Sequence, residues 1–296
     1  MISELTAEQI ISANNILGEG PLWHPGNRFL YWVDITQGHI HSCDAWGGNH
    51  RVFEIGTMPG SLHLTAAHNK LVVTSPMGLL QFWTETGHFQ VLGDPIKIPY
   101  GARFNDGKTD CEGRIWAGTM DLGGAPHRGA LYRIESASTS VVVRAPMSIP
   151  NGLAWTLDNS YFYHIDSPTR TLQGATFEPE TGELGLPETI ANFEHLPGVP
   201  DGMCIDNEGN VWIAFWGGGQ VCRFNPGTGK LLSRIRVPAP QVTSCCFGGE
   251  NLDTLFITTA RHGMTGEMLA LYPQSGNVFL VHPDVQGRSE PITHGF

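Results

Sequence analysis

RFNDGKTDCEGRIWAGTM (103–120) divides into two readings. Its second half is a polar turn, DCEGR, running into RIWAGT, an alternating stretch that predicts a strand. Its first half places Asn105-Asp106-Gly107 just ahead of that turn, with Arg103 two residues before Asn105. A hairpin turn would account for these letters on their own, because Asn and Asp before Gly build Asx-turns and β-turns. The layout recurs along the chain, and the recurrence decides between the readings.

Six stretches align with it: PLWHPGNRFLYWVDI (21–35), LTAAHNKLVVTSP (64–76), KTDCEGRIWAGTM (108–120), LAWTLDNSYFYHIDS (153–167), MCIDNEGNVWIAFWGG (203–218) and CCFGGENLDTLFITTA (245–260). Each is an apolar alternating run, a turn rich in Asn, Asp and Gly, and a second alternating run, which is a β-hairpin signal. The equivalent turn positions Asn27, Asn69, Gly113, Asn159, Gly209 and Leu252 are separated by 42, 44, 46, 50 and 43 residues. A third strand candidate follows the first five hairpins, as in GALYRIES, and a fourth precedes the next unit: HRVFEI, HFQVLG, SVVVRA, PETIANF and LSRIRV. Four strands per unit at this period is the arithmetic of a β-propeller blade. The expectation is all-β: one six-bladed β-propeller domain over 1–296, with four antiparallel strands per blade.

The sixth unit is incomplete. After its hairpin come GMTGEMLALYPQSG, read as a short helical excursion, NVFLVHP as a third strand, and the turn-like DVQGRSEPITHGF. EQIISAN near the N-terminus supplies the missing outer strand, so strands from both chain ends close the ring and remove an exposed edge. YWVD (31–34) stands alone without a G-H partner in each unit, which disfavours the WD-repeat type.

Eight positions before each turn residue stand Glu19, Ser61, Asn105, Asn151, Asp201 and Ser244. The first strand of a propeller blade lines the central channel, so residues in one phase ring one end of it. Any one motif is a turn signal; four carboxylates or carboxamides in a single phase point to a site. Oxygen donors without His or Cys suit a hard divalent cation, Ca²⁺, Mg²⁺ or Mn²⁺. Arg103, on an extended segment, faces the same side as Asn105, whereas Asp106 faces away and shapes the turn. His63 and His164 read as core or channel-wall residues. Trp23, His24, Phe215 and Trp216 are candidates to wall the site, and Gly217–Gly219 for close backbone approach.

Composition limits the partners. The 17 Lys+Arg are scattered and the net charge is −11, so the chain has no basic stripe for nucleic acid and no affinity for an acidic membrane surface. No apolar run reaches membrane-spanning length and no secretory signal is evident. The six cysteines, none in C-x-x-C spacing, read as reduced thiols of a cytoplasmic chain. A G-x-S-x-G elbow, an H-E-x-x-H pair and a P-loop are all missing.

GEGPLWHP (18–25), RFNDGK (103–108), GRIWAGTM (113–120), IPNGLAW (149–155) and PDGMCID (200–206), in that order, resemble the signature blocks of the senescence marker protein/gluconolactonase/luciferin-regenerating enzyme family, which includes regucalcin. The resemblance implies a six-bladed propeller with one divalent metal on Glu19, Asn151 and Asp201. It also implies Arg103 and Asn105 as substrate contacts and Asp201 as the candidate general base. Asp121, in the loop DLGGAPHRG (121–129), is a further substrate-contact candidate. The implied activity is hydrolysis of a sugar lactone to the aldonic acid, with the metal as Lewis acid. Ca²⁺ leads for the metal, with Zn²⁺, Mn²⁺, Mg²⁺ and Fe²⁺ as competitors. Whether Asp201 or a metal-activated hydroxide is the base stays open. The alternatives are a phosphotriesterase-like or promiscuous esterase and a calcium-binding regulatory protein. Arg103 and Asn105 beside the ligands favour the enzyme, since metal binding alone would not require them.

Overall fold

A computed structural model describes residues 2–94 and 96–296. The strands form six sheets arranged as a six-bladed β-propeller. The innermost strands are Gly18–His24, Leu62–Leu64, Ala102–Thr109, Pro150–Trp155, Val199–Ile205 and Val242–Gly248. Each pairs antiparallel with the second strand of its own blade. The expected fourth strands form as Arg51–Glu54, Phe89–Leu92, Thr139–Met147, Glu188–Asn192 and Lys230–Arg236.

The core lies between blades. Tyr31, Val33, Ile40 and Phe53 of blade 1 pack on Leu62, Leu71, Val73 and Phe82 of blade 2. Trp212, Val221 and Ile235 of blade 5 meet Cys245, Phe247, Leu255 and Phe279 of blade 6. Middle strands are therefore covered on both faces and read as near-continuous apolar runs, such as FLYWVD and VWIAFW.

Polar turn residues fix the hairpins. The Asp110 carboxylate accepts from Glu112 N and Arg114 N, both at 3.0 Å, and from Trp116 Nε1 at 2.8 Å. Asp206 repeats the arrangement in blade 5, accepting from Glu208 N (3.0 Å), Asn210 N (2.9 Å) and Trp212 Nε1 (2.9 Å). The DCEGR turn is thus tied to the tryptophan of the strand that follows it.

Ring closure follows the expectation: Glu8–Ile11 is the outer strand of blade 6, antiparallel to Val278–Val281. The helical excursion is the helix Gly266–Leu271, capped by Thr265. Ser3–Thr6, unforeseen from the sequence, adds a parallel fifth strand to blade 5, beside Lys230–Arg236. Buried Ala7 is the corner between the two N-terminal strands, and its N–H donates to Arg236 O at 2.9 Å.

The turn-like C-terminal stretch is a strap across the hairpin end of the channel. Asn207 N donates to Gln286 O (3.0 Å), Gly287 N to Leu252 O (2.7 Å), Thr293 N to Leu64 O (2.7 Å) and His294 N to Gly113 O (3.1 Å). Arg288 reaches Thr156 O at 3.2 Å and Asn159 Oδ1 at 3.3 Å. The strap so joins the hairpins of blades 2 to 6. From it Glu290 enters the channel and pairs with Lys108 of the blade 3 inner strand. Burial pulls the Lys108 ammonium down, but Glu290 outweighs burial and keeps it charged.

Glu290→Ala would leave that ammonium without its counter-ion. The expected loss is about 3 kcal/mol in urea unfolding. Cys204 lies under the strap beside Lys108, Arg288 and Glu290. Its reaction with a thiol reagent should accelerate while Cys43 and Cys222 remain protected, which separates release of the strap from global unfolding.

Candidate active site

Five inner strands carry a register shift at the same height, between Glu19 and Leu22, Phe104 and Gly107, Asn151 and Leu153, Pro200 and Met203, and Val242 and Ser244. The Asn-Asp-Gly and Asn-Gly motifs are therefore β-bulges within strands rather than turns ahead of them. A bulge inserts a residue and re-aims its neighbours. The glycines make room: a Cβ on Gly202 would lie 2.2 Å from Ser244 Oγ, and Gly152 adopts φ +32° with the backbone of Asp201 against it.

Glu19, Ser61, Asn105, Asn151, Asp201 and Ser244 are all buried, as is Arg103. Arg103 Nη1 donates to Asn105 Oδ1 at 2.7 Å and to its neighbour's carbonyl, Phe104 O, at 2.9 Å. Asn105 Nδ2 donates to Asn151 Oδ1 (2.8 Å) and Pro150 O (2.9 Å). Asn151 Nδ2 donates to Ser167 Oγ at 2.9 Å. Glu19 accepts only a 3.2 Å bond from Gly20 N. Asp201 Oδ1 is buried with no hydrogen-bond partner.

Burial, reinforced by the neighbouring Asp106 charge, lifts the Glu19 carboxyl to about 8, against the pull of Gly20 N–H and Arg103. Asp201 is held well above the usual carboxylate range by burial and then by Glu19 and Asp106, with Arg103 opposing. Burial lowers Arg103, and Glu19 and Asp201 counter it.

Asp106 departs from the sequence reading. The bulge turns it inward: it is buried, its Oδ1 accepts from Gly107 N at 2.8 Å, and its Oδ2 has no partner. Burial lifts it to about 6, partly offset by Lys108. It lines a small space of about 20 Å³ together with Gly20, Lys108, Ser244 and Glu290. Trp23 and His24 do not wall the site. They end the blade 1 inner strand at its hairpin, where Trp23 stacks on Phe256 and His24 Nδ1 accepts from Gly26 N. Phe215 is wholly buried against Phe193 and Phe224. Asp121 accepts from Gly123 N (2.9 Å) and Ala125 N (3.1 Å), folding its own loop. His63 is a satisfied channel-wall residue between Ser61 Oγ (2.9 Å) and Thr109 Oγ1 (3.0 Å). All six cysteines are free.

Among the described residues no three His, Cys, Asp or Glu side chains converge as a metal cluster. Any cation here would rest on two carboxylates and a carboxamide.

A model of the SMP-30/gluconolactonase/LRE-like region matches residues 17–261. The chain belongs to this family. The Bacillus subtilis protein YvrE, which carries the name of a sugar lactone lactonase, is 34% identical over 272 residues, covering 92% of this chain and 93% of that protein. Danio rerio regucalcin is 33% identical, covering 95% of each chain. Among solved structures, a calcium-binding regucalcin from Agrobacterium tumefaciens superposes with a TM-score of 0.93 at 26% identity, over 99% of this chain and 100% of that one. The family is thus one of lactonase and regucalcin-type proteins, and no helix among the described residues is long and apolar enough to cross a membrane.

The carboxyl of Glu19 sits above its ordinary 4.5 when folded, so between 4.5 and about 8 the folded state binds more protons than the unfolded one. Metal-free stability contributed by this group therefore falls as pH rises through that window. In chelator, the parent minus Glu19→Gln difference in urea unfolding energy should decline from pH 5 to pH 9 by roughly 3 kcal/mol. A flat difference would show that Glu19 is not desolvated.

Proposed function

We propose that the channel site hydrolyses a sugar lactone to its hydroxy acid. The observation that carries this reading is the buried donor chain from Arg103 through Asn105 to Asn151, set beside two desolvated carboxylates, one with an unpartnered oxygen. Lactonase-named relatives support it.

Glu19, Asn151 and Asp201 would hold a divalent cation. The donor set is all oxygen, and the orphaned Asp201 Oδ1 needs a partner. Charge fits as well: from the site down to the strap, four carboxylates, the buried Glu19, Asp201 and Asp106 and the half-buried Glu290, face two cations, Arg103 and Lys108. The deficit is that of one divalent ion, and the calcium-binding name of the Agrobacterium structure accords with it. Such an ion supplies electrophilic polarisation of a carbonyl oxygen.

Asp201 accepts a proton from water as the water oxygen bonds to the lactone carbonyl carbon. It returns that proton to the ring oxygen as the ring C–O bond breaks, so lactone and water yield the hydroxy acid. Burial raises the Asp201 proton affinity in the metal-free site, and a cation held on the same carboxylate would lower it again. Arg103, a fixed cation with remaining N–H donors, and the Asn105 carboxamide orient the sugar and meet the developing oxyanion. Burial excludes bulk water from all three.

The test is proton release by chelator-stripped protein against five- and six-membered aldonolactones, with Ca²⁺, Mg²⁺, Mn²⁺, Zn²⁺ and Fe²⁺ added back singly. Asp201→Ala should lose both cation and turnover. Arg103→Met should lower kcat/KM by about 10²–10³ while binding cation no more weakly, since it removes a positive charge from the site. Tight cation binding without turnover of any lactone would sink this reading in favour of a calcium-binding role.

A further inference from the structure

Arg103 fixes which way two carboxamides point. A guanidinium carries donors only, so the Asn105 atom 2.7 Å from Arg103 Nη1 must be Oδ1. The other end of Asn105 is then its amide nitrogen. Pro150 O, an acceptor with no proton, receives it at 2.9 Å and fixes the same orientation independently. The amide nitrogen also meets Asn151 at 2.8 Å, so the Asn151 atom facing it must be the carbonyl Oδ1. What remains of Asn151 is its Nδ2, which donates to Ser167 Oγ at 2.9 Å. The chain is polarised from end to end, and Ser167 terminates it as acceptor.

Ser167 is held in place for this. It follows the second strand of blade 4, Tyr161–Asp166, and opens the 3-10 turn Ser167–Thr169. Its N–H donates to Ile149 O at 3.1 Å. The preceding Asp166 carboxylate accepts from Ser148 N (3.0 Å) and Ile149 N (2.7 Å), locking the approach to Asn151. Ser167 itself is buried, so water does not stand in for its hydroxyl.

We infer that Ser167 is a positioning residue, which holds the Asn151 carboxamide with its oxygen turned into the channel and its nitrogen turned away. This rests on the reading of Asn151 as an oxygen ligand given above. Carbonyl and amino ends of a carboxamide have nearly the same shape, and only one of them binds a hard cation. Without Ser167 the buried Nδ2 has no acceptor, and a donor left unpaired out of water favours any rotation that finds one. Groups that orient a metal ligand typically govern affinity by 10- to 100-fold.

The measurement is calorimetric titration of the chelator-stripped full chain with Ca²⁺ and with Mn²⁺, alongside thermal unfolding of the same samples. Ser167→Ala should raise the dissociation constant about 10- to 100-fold. Ser167→Cys keeps the volume but accepts hydrogen bonds weakly, so it should show the same loss, and it carries the test if the alanine variant does not fold. Ser167→Thr keeps the oxygen and should stay within about threefold of the parent, a small fraction of the effect expected for a lost orienting group. Thr169, in the same turn, bonds Asp166 O at 2.8 Å and not Asn151. Thr169→Ala should therefore lower the unfolding temperature without changing cation affinity, which separates orientation from stability. Parent-like affinity in Ser167→Ala or Ser167→Cys, or equal loss in Thr169→Ala, overturns the inference while leaving the metal reading intact. A parent protein that binds none of the cations overturns the metal reading, and this inference with it.

Discussion

Five of the six inner strands bulge at one height so that polar side chains meet on an axis that would otherwise be filled by apolar ones. Everything at the site follows from this constraint. Backbone groups of the inner strands are largely satisfied within their own sheets, so the unsatisfied groups on the axis are side chains. Glu19 and Asp201 are taken out of water beside Asp106, with Arg103 as the cation near them. An unpaired buried charge is costly, and a group in that position either takes up a proton or is matched by a cation. The propeller makes this tolerable because its own stability resides elsewhere, in the apolar layers between neighbouring blades.

The axis has an electrostatic sequence of its own. Below the site lies Asp106, then Lys108, then Glu290 carried in from the C-terminal strap. Each end holds two carboxylates and one cation, but below, the cation is closed into an ion pair with Glu290, while above, Arg103 donates to Asn105. The channel is so divided into a structural half, closed by an ion pair, and a half left open to chemistry.

The architecture was legible because a propeller writes its period into the chain. Spacings of 42 to 50 residues located each hairpin, and one fixed offset picked out Glu19, Asn105, Asn151 and Asp201. Asp106 was misread because strict alternation sends it away from Asn105, and the bulge between Phe104 and Gly107 breaks that alternation. Ser167 was overlooked for a different reason. It lies outside the repeat phase and reaches Asn151 across the hairpin, where only the Asn151–Ile165 register brings the two together. The strap left no pattern at all, since it is held mainly by backbone bonds to hairpin turns and by one ion pair. Ser3–Thr6 likewise joins blade 5 in parallel, a pairing without a turn to announce it.

The chain's first strands are completed by its last. Gln9 pairs with Phe279 and Glu4 with Arg234, so the opening residues belong to blades whose sequence comes at the far end. During synthesis these strands leave the ribosome long before their partners exist. Blades 1 to 4 can assemble as they emerge, but the ring stays open until residues 278–281 are available. Contacts this distant in sequence are slow to form, because the intervening loop must be closed first. The circle is therefore the last part of the propeller to be finished. Until then the edge of blade 6 and the free N-terminal strands are the parts of the molecule most open to pairing with the wrong chain.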